Sequence, residues 1–123
     1  MIEAEAGYSY AYALYQTGRT ADAERIFQTL CAAHPLEARF WMGLAASLQE
    51  EKRYSQALYA WAMCAVLDPA NPTYHFHAAE CATSLENKDD ALLALRQAQV
   101  LIGNNSHPLT SSIQALEERW RCA

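Results

Sequence analysis

The chain has 123 residues, 52% of them hydrophobic, with four glycines, four prolines and a formal net charge of −5. This composition favours a single well-packed helical domain and argues against a disordered chain. With 9 basic against 14 acidic residues and no basic stripe, nucleic acid is not an expected partner, and the apolar run that stops at Asp68 is too short to span a membrane.

Taken in order, the chain opens with Glu3 and Glu5 close behind Met1, so no secretory leader is expected and the setting reads as cytoplasmic. The cysteines agree. Cys31, Cys64, Cys81 and Cys122 lie far apart without a C-x-x-C pair, and three of them sit among apolar helical residues as small structural hydrophobes. In the first predicted helix, Gly7, Tyr10, Ala11 and Leu14 form the face expected to pack on neighbours. Tyr8, Tyr12 and Tyr15 recur at i, i+4 and i+7 as a second stripe. Gly18 then falls where a helix-ending glycine belongs, and Thr20 is placed to cap the second helix.

Residues 39–69 form the best-marked hairpin. Trp41, Leu44, Ala45 and Leu48 recur at helical spacing before a polar break at Glu50–Arg53, and Tyr54, Ala57, Leu58, Trp61 and Ala65 recur after it. Pro69 stops the second helix at Asp68. A lone hairpin cannot bury its apolar face, so more of the same is required on either side. Laid against itself at an offset of 34 residues, the sequence supplies it. Ala11, Ala45 and Ala79 align; so do Ala23, Ala57 and Ala91; Leu14, Leu48 and Ala82; Phe27, Trp61 and Leu95; and the breakers Pro35, Pro69 and Gly103. A small residue where two helices cross, a bulky one behind it and a closing Pro make the tetratricopeptide signature. Lys52 and Glu86 stand where Gly18 stands in the first unit, so those two turns must close without glycine.

The third unit starts at Asn71-Pro72, a capping Asn before a Pro at the first helical position. A turn follows at Gly103–Pro108. Leu109, Ile113, Leu116 and Trp120 then define a last helix, whose polar face (Gln114, Glu117, Glu118, Arg119, Arg121) suits the end of a repeat array. The expected fold is therefore all-α: three tandem hairpins over about residues 4–35, 38–69 and 72–103 in a right-handed superhelix, closed by a solvating helix over about 108–121.

Function must come from the apolar residues that this packing does not consume. The stripe Tyr8, Tyr12, Tyr15 is expected to line the concave groove rather than the core, because tyrosine offers a rigid apolar face with a hydroxyl that stays satisfied when wet. The matching groove positions are Arg39, Met42, Ala46 and Gln49 in the second unit, and Thr73, Phe76, Glu80 and Thr83 in the third. An extended protein segment would lay its side chains in this trough and meet Arg39, Gln49 and Glu80 with its backbone. A further stripe, Tyr59, Met63 and Val66, is expected to be partly buried against a neighbouring helix, the sharper alternative being a second protein contact. His77 and Cys81 lie four residues apart beside Glu80 but have no third ligand at metal spacing, so no metal site is expected. There is no phosphate loop and no nucleophile elbow. Neither an enzyme nor a cofactor is expected.

The segments YSYAYALYQTGRTADAERIFQTLC (8–31), ARFWMGLAASLQ (38–49) and FHAAEC (76–81) resemble the class II chaperones of bacterial type III secretion, of the SycD/LcrH and IpgC type. The resemblance covers about residues 7–103. It implies a cytoplasmic, non-enzymatic chaperone that holds an extended segment of a hydrophobic translocator protein in its groove, keeping that client soluble and ready for export. It places the family's groove aromatics on Tyr8, Tyr12 and Tyr15. It also implies a homodimer made through an N-terminal helical arm, which this sequence, with its first repeat starting almost at Met1, is not expected to carry. The alternative is a general tetratricopeptide adaptor or assembly factor unrelated to secretion.

Overall fold

A computed structural model describes residues 3–122, and these form helices joined by short turns. The helices are α1 (Ala4–Gln16), α2 (Thr20–Ala33), α3 (Ala38–Glu50), α4 (Tyr54–Leu67), α5 (Pro72–Ser84), α6 (Lys88–Ile102) and α7 (Thr110–Cys122). Each of the first six packs on the next, and α7 returns onto α6. The result is three antiparallel hairpins in a stack with a seventh helix on the end.

The aligned small residues explain the stacking. Ala11, Ala23, Ala45, Ala57, Ala79 and Ala91 are all fully buried, which lets the two helices of each hairpin approach closely. Phe27, Trp61 and Leu95 fill the space behind them and are also buried. The apolar interior runs as one cluster from α1 through α4 to Tyr74 and Cys81 on α5. A second cluster joins Phe76 and Ala79 to Leu95, Ala98 and Ile102 on α6 and Ile113 on α7. The last helix thus does what its pattern predicts. Its Ile113 is buried, and Trp120 donates its indole N–H to Thr83 Oγ1 at 3.0 Å.

The three turns within the hairpins are built alike. Arg19 N–H donates to the carbonyl of Leu14, and Gly18 N–H to that of Tyr15; Arg53 and Lys52 repeat this on Leu48 and Gln49, and Asn87 and Glu86 on Ala82 and Thr83. This is the Schellman pattern, which needs a left-handed residue at its centre. Gly18 supplies it without cost at φ 86°, whereas Lys52 and Glu86 are forced to φ 63° and 59°. Replacing either by glycine removes that steric cost, so Lys52→Gly and Glu86→Gly are each expected to raise unfolding free energy by about 0.5–1 kcal/mol. Urea titration reads this as a higher midpoint at unchanged slope; a lower midpoint would refute it.

The same turn corrects one expectation. Thr20 does not cap α2 from outside but is its first residue; the capping position is Arg19, with no side-chain cap, and Thr20 Oγ1 reaches back to the Gly18 carbonyl at 3.4 Å. Closure of the turn onto Leu14 starts the helix sooner than the Thr signal suggested. The other predicted cap holds: Asn71 Oδ1 accepts from Thr73 N–H at 3.0 Å, with Pro72 at the first helical position. Tyr10 is the second correction. It is 56% exposed although Gly7, Ala11 and Leu14 are buried. Its counterpart in the second unit, Leu44, is buried within the first apolar cluster, and among the described residues α1 has no preceding helix to meet.

Where α2 meets the α3–α4 turn, Glu24 is buried and accepts an ion pair from Arg53 Nη1. Glu51 Oε1 is buried beside it without a hydrogen-bond partner. Burial, then the neighbouring Glu24 carboxylate, raise the Glu51 carboxyl above its ordinary range. A carboxyl raised in the folded state contributes stability at pH values below the ordinary carboxylate range and loses it as pH rises through the raised value. Glu51→Gln, a permanent mimic of the neutral form, is therefore expected to stabilise the protein at pH 7 by about 0.5 kcal/mol, allowing for solvent screening. It should also flatten the melting temperature between pH 4 and 7; an unchanged pH profile would contradict this.

Candidate functional site: a groove along one side of the stack

The first helix of each hairpin presents its free face to one side, and a chain of cavities runs along it. The first, of 210 Å³, is walled by Tyr8, Tyr12 and Tyr15 of α1, Met42, Gly43 and Ala46 of α3, and His77 of α5, with Phe27 and Trp61 reaching up between the helices. It continues into a 180 Å³ space that shares Tyr15, Ala46, Trp61 and His77 and adds Gln49, Glu50 and Glu80. Beyond that, Lys52, Tyr54, Thr83, Ser84, Leu116 and Arg119 border a third space, and Phe76, Glu80, Ser112, Ala115 and Leu116 a fourth. The predicted stripe of tyrosines is therefore one wall of a real cavity.

The three tyrosines are not equivalent. Tyr8 is half-buried and is held by Phe27 edge-on at 6.1 Å and Phe40 at 5.7 Å. Tyr12 is 46% exposed and leans on Tyr8 at 6.1 Å. Tyr15 is half-buried like Tyr8, and its hydroxyl pKa is raised by burial, then by the nearby charge of Glu50 and by Tyr12. Core and groove readings both apply, the first mainly to Tyr8 and the second mainly to Tyr12.

The polar groove positions differ more from expectation. Arg39 is outside the cavities: its guanidinium is bound by Glu5 Oε1 at 2.6 Å and Glu37 Oε1 at 3.1 Å, and lies 4.9 Å from the Tyr8 ring centre. Through the Arg39 hydrogen bond the Glu5 carboxyl is lowered. Gln49 and Glu80 are also engaged within the chain. Trp61 Nε1–H donates to Gln49 Oε1 at 2.9 Å, Gln49 Nε2–H donates to Glu80 Oε1 at 3.2 Å, and His77 Nδ1 lies 2.7 Å from the same oxygen. Burial pushes the Glu80 carboxyl up, but the hydrogen bonds from His77 and Gln49 outweigh it, so it stays charged to lower pH. Phe76 and Thr83 are buried, Phe76 within the second apolar cluster. Thr73 is half-buried and lines none of these spaces.

Trp61, Phe27, Gly43 and His77 were missed as groove residues, and the repeat offset could have found them. Phe27 and Trp61 are equivalent, and so are Gly43 and His77, 34 positions apart. At the first pair the absent side chain of Gly43 makes room for the Phe27 ring. At the second the His77 imidazole stacks on Trp61 with ring centres 4.6 Å apart. Cys81, considered beside His77, is fully buried in the core with its thiol pushed up to about 12 by burial. Tyr59 and Val66 are 65% and 73% exposed, not partly buried as expected; only Met63 is. Trp41 touches Tyr59 edge-on but does not cover it.

Stacked helical hairpins with a row of cavities along their free faces define a helical-repeat protein. A tetratricopeptide repeat model matches residues 8–72. The chain is 35% identical over 99 residues to the low calcium response locus protein H of Yersinia pestis, covering 80% of this chain and 59% of that protein, so it spans little more than half the length of this relative. It superposes with TM-score 0.89 on the Yersinia enterocolitica type III secretion chaperone SycD, solved with a peptide of the translocator YopD, at 34% identity over 96% of this chain and 92% of that one. For PcrH, a Pseudomonas aeruginosa protein, solved with the chaperone binding region of PopD, the TM-score is 0.82 at 31% identity, over 94% and 92% of the two chains. The chain belongs to the tetratricopeptide-repeat family and, within it, to the SycD/LcrH class of type III secretion chaperones.

Proposed function

We propose that this protein is a type III secretion chaperone that binds an extended segment of a hydrophobic translocator in its groove and keeps that client soluble and export-competent in the bacterial cytoplasm. The observation that carries the reading is the 210 Å³ cavity walled by Tyr8, Tyr12, Tyr15 and Met42. It is apolar, open to one side and placed on rigid helices, which suits a side chain presented by an extended backbone. The likeness to chaperones solved with translocator peptides supports the same reading. Among the described residues no helix is long and apolar enough to cross a membrane, and the work asked of the chain is binding, not catalysis. Self-association belongs to the proposal as well, since SycD has been solved in an alternative dimer.

Co-expression tests it. A translocator encoded beside this chain is expected to move from the insoluble to the soluble fraction as a complex, and the variant with Tyr8, Tyr12 and Tyr15 all changed to Ala is expected to lose that effect. A translocator that stays insoluble with the wild-type chain would overturn the proposal.

A further inference from the structure

The groove changes chemistry along its length. Its first cavity is walled by aromatic and aliphatic side chains with His77 at one end. The second keeps Tyr15, Ala46, Trp61 and His77 but adds the carboxylates of Glu50 and Glu80. Glu80 borders three of the four spaces. Gln49 and His77 both engage its Oε1, which leaves Oε2 with no hydrogen-bond partner among the described residues. Glu50 has no ion pair among them either, and its charge is felt at the Tyr15 hydroxyl. Lys52 and Arg119 line only the farther space, and among the described residues neither is within ion-pairing distance of Glu50 or Glu80.

We propose that the second cavity receives a lysine or arginine side chain, so that the groove selects extended segments carrying a basic residue beside their apolar anchor. The inference rests on the reading of this groove as the client site and adds a charge requirement to it. A carboxylate held ionised while half out of water carries a solvation cost that an incoming cation relieves. Their attraction in a groove is screened less than on open surface. The His77–Trp61 stack stands between the two spaces and lines both, so an apolar side chain and a charged one next to it would be sorted by the same wall.

Fluorescence anisotropy with short labelled Ser/Gly peptides carrying one Leu tests this. The series places a single Lys at each successive position either side of the Leu, with matched Gln and Glu sets. In one register the Lys peptide is expected to bind about 5-fold more tightly than the Gln peptide, with the Glu peptide weakest. Glu50→Gln and Glu80→Gln should each shrink the ratio of Lys-peptide to Gln-peptide affinity, and added salt should shrink it too. If Lys and Gln peptides bind equally in every register while Tyr12→Ala weakens both, the cation site is refuted and the groove reading stands. If no Leu peptide binds, or Tyr12→Ala changes nothing, both fail together.

Discussion

Gly43→Ala is expected to cost about 3 kcal/mol of stability and to lower the melting temperature by about 10 °C. A Cβ at this position would lie 2.2 Å from Phe27 Cε1 and 2.4 Å from Cζ, far inside contact distance. Gly43 lies within α3, so no left-handed backbone demands glycine there; the demand is spatial. Nor can the ring step aside freely, because Phe27 is 1% exposed and meets Tyr8 edge-on. The added methyl must push the ring toward the groove or part α2 from α3. Phe27→Leu in the same chain should return more than half of the loss by vacating the contested space. Circular dichroism melts decide it: a Gly43→Ala protein melting at the wild-type temperature would show that the ring yields at no cost.

Tyr12→Ala is expected to weaken binding of the proposed translocator segment by about 10-fold, and the triple change of Tyr8, Tyr12 and Tyr15 to Ala by 100-fold or more, since a half-exposed aromatic anchor at the edge of a pocket carries about 1.4 kcal/mol. The single change is the cleaner experiment. Tyr12 is half-exposed and outside the buried clusters, so its melting temperature should stay within about 2 °C of wild type. Tyr8, which packs on Phe27 and Phe40, should lose both stability and affinity. Calorimetric titration alongside a melt separates the two effects. Full affinity in Tyr12→Ala would refute the aromatic cavity as the client site.

The fold was legible because the repeat writes each structural instruction three times. Any one Ala or Pro is weak evidence, but Ala11, Ala45 and Ala79 in register, with Phe27, Trp61 and Leu95 in register behind them, leave few other arrangements. The tyrosine wall was legible for a related reason: three aromatics at helical spacing lie on a different face from the alanine that marks the crossing. What escaped was set between helices distant in sequence. Nothing local to Trp61 shows that its ring reaches the groove or that His77 stacks on it. Nothing near Arg39 reveals that Glu5, on another helix, ties up its guanidinium. Tyr10 and Val66 misled in the same way, since apolar residues at the right spacing were assigned partners that this chain does not place against them. Periodicity reports which face a residue occupies, and not what stands opposite.

The buried thiols have a practical consequence. Burial holds Cys31, Cys64 and Cys81 at about 12, so only about one in 10⁵ of each is thiolate at neutral pH. Cys122, at the end of α7, is exposed. To an alkylating reagent the folded molecule thus presents one nucleophile and the unfolded chain four. The mass added on brief labelling would count folded and unfolded molecules directly in a mixture, without any engineered probe. A dye on Cys122 alone would sit on the same helix that places Leu116 and Arg119 in the lining of the groove, and would serve the proposed binding test in the wild-type sequence.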